Sequence, residues 1–195
     1  MSEVKKQTKI ITPKFRMSFP ALFVPKPFED GGEPVYSLTC LFPVGCDLKA
    51  LQGFVLEAMT EKWGDKALAD FKAGKIRNPF RKQDEKEHLA GYEAGGYFII
   101  LRSKNKPGVV GPDVQPVTDP AVAYAGRWAR ASLSVFAWSH AKGGRGVSFG
   151  LNNVQLLEEA DRFGGGAARP SEDFEPVAIP VDAEVPANAA AALFG

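Results

Sequence analysis

The residues best equipped for chemistry recur two apart within residues 126–139, GRWARASLSVFAWS. Trp128, Arg130, Ser132, Ser134, Phe136 and Trp138 form one alternating series. Arg127, Ala129, Ala131, Leu133, Val135 and Ala137 form the other. Successive side chains of a strand point to opposite faces, so each series occupies one face. After Arg127, the second series is small and aliphatic and suits a packed core. The first combines three rings, a guanidinium and two hydroxyls, which suits a flat, charged ligand. Rings offer stacking platforms to bases, and the guanidinium and hydroxyls offer hydrogen bonds to phosphate. The structural alternative is that the rings pack beneath a helix or a second sheet, because tryptophan is highly buried on average.

Catalytic signals are sparse. His88 and His140 are the two histidines, and neither stands at metal-ligand spacing from a partner. The acids beside His88, in DEKEH, supply the one cluster able to gather a divalent cation, although charge runs are usually solvated faces. There is no Walker loop, no GxSxG elbow and no dinucleotide fingerprint ahead of a helix. Cys40 and Cys46 give no disulfide framework and are expected to be reduced. The sequence argues against an enzyme.

Rings and cations keep company elsewhere too. Phe80 lies among Arg77, Arg81 and Lys82, with Tyr92 further along the same segment. The apolar run YFIILR, from Tyr97 to Arg102, empties into SKNKPG, which adds Lys104 and Lys106 ahead of a Pro-Gly turn. Lys142 and Arg145 sit in a glycine-rich loop, HAKGGRG, and Lys14 and Arg16 alternate with apolar residues near the start. Aromatic platforms beside a basic groove are what single-stranded nucleic acid requires.

These residues need elements to position them. Residues 10–24 alternate and predict one long strand, with Ile11, Phe15, Met17 and Phe19 toward the core and Lys14, Arg16 and Ser18 opposite. Residues 35–42 predict a second strand, antiparallel to the first. Asp47 then caps a helix whose apolar positions are Leu48, Leu51, Val55, Ala58 and Met59. A second, shorter helix capped by Asp65 is expected to stop at Gly74. Residues 75–97 are polar and glycine-punctuated and read as a long surface loop, of a length that is usually functional or disordered. Strands at 97–102, 127–138 and 147–156 bring the count to five, with the helices inserted between the second and third.

The 195 residues suffice for one domain with a real core, followed by an appendage. The net charge of +1 hides an asymmetry: all 24 Lys and Arg lie within residues 1–169, which carry a net +6, and five acids without a base lie beyond. That distribution points to nucleic-acid or membrane contact by the body and to a tail able to compete for the site or recruit partners. No run of about 18 apolar residues is available to span a bilayer, and the first residues lack a secretory pattern, so a cytoplasmic location is expected. From residue 164 the chain is rich in Gly, Ala and Pro and is expected to be disordered. Leu193 and Phe194 at its end have the look of a docking motif for a protein partner.

The runs NPFRKQDEKE, GYFIILRSKNKPGVV, YAGRWARASLSVFAW and GVSFGLNNVQLL, in that order, resemble the phage-encoded single-stranded-DNA-binding proteins of OB fold. The resemblance covers about residues 8–160. It implies a five-stranded OB-type barrel without a cofactor, binding single-stranded DNA with little sequence preference during phage replication, recombination or repair, in the host cytoplasm. Block by block, it extends the candidate contacts to Arg77, Phe80 and Arg81, to Tyr97, Ser103, Lys104 and Lys106, and to Tyr124, Arg127, Trp128 and Arg130. Asn152 and Asn153, in GLNNVQ, read as structural. The tail is similar to those of phage and bacterial single-stranded-DNA-binding proteins, which are acidic and end near a phenylalanine, although Ala and Pro dilute it and Gly195 follows Phe194.

The expectation is therefore a mainly β protein, with an OB-type barrel over residues 1–163, a helical insertion at about 47–74, a basic and aromatic loop at about 75–96, and an acidic tail over 164–195. It coats single-stranded DNA and docks replication or recombination proteins through its tail. The alternative from another class is a phage structural or decoration protein that uses its aromatic faces for assembly. A metal-dependent nuclease built on residues 84–88 is the third reading.

Overall fold

A computed structural model describes residues 10–27 and 31–164. In chain order the strands and helices are β1 (Ile10–Ile11), β2 (Phe15–Pro27), β3 (Pro34–Phe42), α1 (Lys49–Trp63), α2 (Ala67–Lys72), β4 (Ile76–Arg77), β5 (Arg81–Lys82), β6 (Tyr97–Ser103), β7 (Gly108–Val110), β8 (Trp128–His140) and β9 (Gly144–Leu156). The protein is mainly β. Five long strands close on one another: β2 pairs with β3, β3 with β6, β8 with β9 and β8 with β2, all antiparallel, and β6 pairs with β9 in parallel. The helices lie between the second and third strands of this ring, as the sequence predicts.

The interior follows from alternation. Phe15 and Met17 of β2, Leu38, Cys40 and Phe42 of β3, Ile99 and Leu101 of β6, Ala129, Ala131 and Leu133 of β8 and Phe149 and Leu151 of β9 are all buried in one cluster. Leu51, Val55 and Met59, one turn apart on α1, close it from one side. Each fully buried large side chain contributes about 1.5–3 kcal/mol. Asp47 acts one residue earlier than a formal cap: its Oδ1 accepts from the Lys49 N–H at 2.9 Å, while Leu48 holds the cap position. Asp65 caps nothing, because it falls inside the 3-10 turn Gly64–Lys66. Cys40 and Cys46 are both free thiols.

Two expectations are corrected. The first predicted strand breaks into β1 and β2, and its expected core face holds at Phe15 and Met17 but not at its ends: Ile11 and Phe19 are exposed, whereas Thr12 and Ser18 are buried. Thr12 is accommodated by donor and acceptor partners across the break, its N–H donating to Ala131 O and its Oγ1 accepting from the Ala131 N–H. Phe19 is turned outward by an irregularity between the Ser18–Thr39 and Ala21–Ser37 pairs. Residues 75–97, read as a surface loop, are instead fastened to the ring. β4 runs parallel to β9, and β5 pairs with β6. Gln83 is buried with its Nε2 donating to Phe42 O and Tyr97 O and its Oε1 accepting from the Glu93 N–H. Tyr92 packs with Leu41 and Phe98 in a second, smaller cluster on the outer side of β3 and β6.

Candidate nucleic-acid interface

The outward series of β8 meets a row of very small residues on β9. Ser134 stands opposite Gly150, Phe136 opposite Ser148 and Trp138 opposite Gly146. The Trp138 indole lies against Gly146 and donates from Nε1 to Ser148 Oγ at 2.8 Å. Arg77, placed beside Gly146 by the β4–β9 pairing, holds its guanidinium carbon 5.7 Å from the Trp138 ring. The His140 ring is 5.2 Å away on the same strand. Phe136 is 49% exposed. On the far side of β9, Arg102 of β6 pairs with Gly150 and is exposed. A ring-bearing strip thus runs beside cations, and the small residues of β9 let the Trp138 and Ser134 side chains lie close over the strand.

The other predicted contacts divide by position. Lys14, Arg16 and Trp128 gather near the start of β8: Lys14 Nζ is 4.7 Å and the Arg16 guanidinium carbon 5.3 Å from the Trp128 ring. Arg16 is also committed to the backbone, donating to Gly126 O and Asp161 O, and stacks over Phe163. Lys14 pairs with Glu158 at 2.7 Å, which lowers the Glu158 pKa. Arg130 donates to Gln155 Oε1 at 2.7 Å and remains exposed.

Tyr124 and Arg127 are fastenings within the domain. The Arg127 side chain is only 11% exposed and donates to Val122 O and Leu157 O. The Tyr124 hydroxyl donates to Ala160 O, and Arg162 covers its ring at 4.0 Å. Together they hold residues 157–163 against the segment that enters β8. Phe80 and Tyr92 are likewise inside. An Asx turn at Asn78 aims Phe80 inward, edge-on to Phe149, and Tyr92 stands edge-on to Phe98. Burial raises the Tyr92 hydroxyl pKa.

Beside β6, Arg81 is exposed, paired with Glu85, and 5.2 Å from the Phe98 ring. Lys82 stands opposite Tyr97, which is 42% exposed. In the loop after β6, Ser103 Oγ accepts from the Asn105 N–H, Lys106 sits 5.9 Å over Phe23, and Lys104 pairs with Glu33 at 2.8 Å. The hydrogen bond and charge of that pair lower the Glu33 pKa and raise that of Lys104. Such an exposed pair is weak and screened by salt, so a phosphate can take the place of the carboxylate. At the β8–β9 turn Lys142 is exposed, whereas Arg145 bonds Asp70 at 2.9 Å and lies over Trp63, tying the hairpin to α2. Asn153 is structural as read, its Oδ1 accepting from the Gly108 N–H at 3.1 Å.

Phe136 and Trp138, on the face that the alternation marked for a flat ligand, complete the strip together with Ser148, which the sequence did not point to. That alternation placed both rings on the same face as Trp128. The floor of Gly146 and Gly150 became visible only with the register. Among the described residues no three of His, Cys, Asp and Glu come together to hold a metal ion, and Asp84 accepts from the Gly95 N–H instead. Leu193 and Phe194 lie outside the described residues. Among the described residues no helix is long and apolar enough to cross a membrane.

Three solved structures share this fold. The single-stranded DNA-binding protein of bacteriophage Enc34 in complex with ssDNA is 22% identical, with 82% of this chain and 91% of that one covered at a TM-score of 0.63. A second structure of the single-stranded DNA-binding protein from bacteriophage Enc34 gives 23% identity, 87% and 92% coverage and a TM-score of 0.60. The protein gp2.5, a single-stranded DNA-binding protein encoded by bacteriophage T7, gives 15%, 90%, 100% and 0.59. No curated protein matches the sequence. A family model described as "Enterobacter phage Enc34, ssDNA-binding protein" matches residues 8–185, nearly the whole length, and the chain belongs to that family.

Proposed function

We propose that this chain binds single-stranded DNA with little sequence preference and coats strands exposed during phage replication, recombination or repair, in the host cytoplasm. It acts by binding, without a chemical step. The observation that carries the reading, beside family membership, is the strip of Phe136 and Trp138 over Gly146, Ser148 and Gly150, flanked by Arg77 and Arg102. Bases stack on the rings, and the cations take the phosphates. Lys104, Lys106, Lys142, Arg130, Arg81, Lys82 and Tyr97 extend the path from the strip, and Lys14, Arg16 and Trp128 form a second patch. Phe80, Tyr92, Tyr124 and Arg127 support the architecture around it.

The acidic tail beyond residue 164 competes with DNA for this basic surface, and Leu193 and Phe194 dock replication or recombination proteins. Fluorescence anisotropy of a labelled dT oligonucleotide, titrated with the full chain and with a chain truncated after Gly166 across a salt series, tests DNA binding and the competition by the tail. Affinity should fall with salt with a log-log slope of about −0.7 per phosphate neutralised, and truncation should tighten binding. Absence of binding at low salt by either chain overturns the reading.

A further inference from the structure

Phe19 occupies a backbone position that its side chain disfavours. Ser18 pairs with Thr39 and Ala21 with Ser37, so Phe19 and Pro20 together stand opposite Leu38 alone. This is a β-bulge, and Phe19 has φ of +46°. Bulges with a left-handed first residue normally place glycine there, because a β-carbon crowds the following carbonyl oxygen. A bulky residue at positive φ is a genuine outlier.

The bulge itself has a clear role. It shifts the phase of β2, so that Met17 before it and Leu22 after it are both buried. Glycine would achieve that shift with less strain. The phenyl ring gains little from the fold in return, since Phe19 is 60% exposed. Strain kept at an exposed ring is the signature of a side chain retained for what it touches outside the fold.

Its surroundings fit one kind of ligand. The row next to the bulge runs from Ala21 to Ser37 of β3, then to Arg102 of β6 and Gly150 of β9, and it reaches Ser134 of β8. That row begins two residues from Phe19 and leads to the strip bearing Phe136 and Trp138. Further along β2, Lys106 covers Phe23. A ring, hydroxyls, a guanidinium and a glycine follow one another across five strands.

We propose that Phe19, held out by the bulge, is a base-stacking residue at the far end of this row and extends the single-strand path across β3 and β6. The inference rests on the single-stranded-DNA reading above. Phe19→Gly in the full chain separates strain from function: its melting temperature should equal or exceed that of the parent, while affinity for a labelled dT oligonucleotide falls about tenfold, within the range for loss of one stacked base. Its log-log salt slope should not change, because no phosphate contact is lost. Phe19→Leu, which keeps the β-carbon and the apolar bulk but removes the ring, should lose comparable affinity, and Phe19→Trp should retain it. A lower melting temperature for Phe19→Gly would make the ring structural and overturn the proposal. So would parental affinity in both Phe19→Gly and Phe19→Leu. A parent chain that fails to bind dT at low salt overturns the underlying reading as well, an outcome distinct from the other two.

Discussion

The Trp138 indole rests on Gly146, its cross-strand neighbour, so closely that a β-carbon added to the glycine would lie 2.5 Å from the ring. The same added atom would approach Arg77 Cβ to 3.1 Å. One glycine therefore sets the position of the ring and of the cation beside it. Trp138→Ala should weaken dT binding by about 5- to 150-fold, the equivalent of roughly 1–3 kcal/mol for one stacked base. Gly146→Ala keeps the indole but displaces it, and its affinity should fall between those of the parent and Trp138→Ala. Anisotropy titrations of the three proteins, with thermal melts to show that each is folded, check the order.

Lys104 is shared. Glu33 holds it at 2.8 Å, and both side chains are largely exposed. Glu33→Gln removes the competing carboxylate without removing bulk, so dT affinity at low salt should rise, by about twofold as expected for one exposed charge. The gain should fade as added salt screens the surface. An unchanged affinity at low salt would take Lys104 out of the phosphate path.

Much of this arrangement was legible in the sequence, and the misses have local causes. Alternation identified Ala129, Ala131 and Leu133 as interior and Trp128, Phe136 and Trp138 as the opposite face, because β8 is regular over that length. Helical spacing identified Leu51, Val55 and Met59. Phe19 was misassigned because a bulge adds a residue that alternation does not register, inverting every face beyond it. Phe80 was grouped with its basic neighbours, yet a turn at Asn78 separates its direction from theirs. Arg127 belongs by phase to the aliphatic face. Its guanidinium is accommodated there by the carbonyls of Val122, in the turn just before β8, and of Leu157, thirty residues on, a pairing that alternation does not reveal.

That enclosure of Arg127 predicts a stability effect in place of a binding one. Arg127→Ala leaves the Val122 and Leu157 carbonyls without their donor and frees residues 157–163 from one of their fastenings. Loss of charged hydrogen bonds of this kind costs about 1.5–3 kcal/mol. At about 2–4 °C per kcal/mol for a chain of this size, the melting temperature should drop by several degrees. Well below that temperature the variant should bind dT with close to parental affinity. A large affinity loss in a chain of parental stability would return Arg127 to the interface.

Asp70 makes the hairpin's hold on α2 sensitive to acid. Its hydrogen bond from Arg145 at 2.9 Å, supported by Lys75 at 3.3 Å, holds its pKa below the ordinary value of 3.8. A carboxyl whose folded pKa is depressed binds its proton more readily in the unfolded chain. Its contribution is therefore fully present above pH 3.8 and is lost as pH falls through the lowered folded value. Asp70→Asn should have a lower melting temperature than the parent at neutral pH, and the gap should close as the pH is taken below 3.8. Melting curves of both proteins from neutral pH into that acid range measure it. A gap that persists unchanged in acid would assign the difference to packing of the side chain and would remove the Arg145 clasp as its cause.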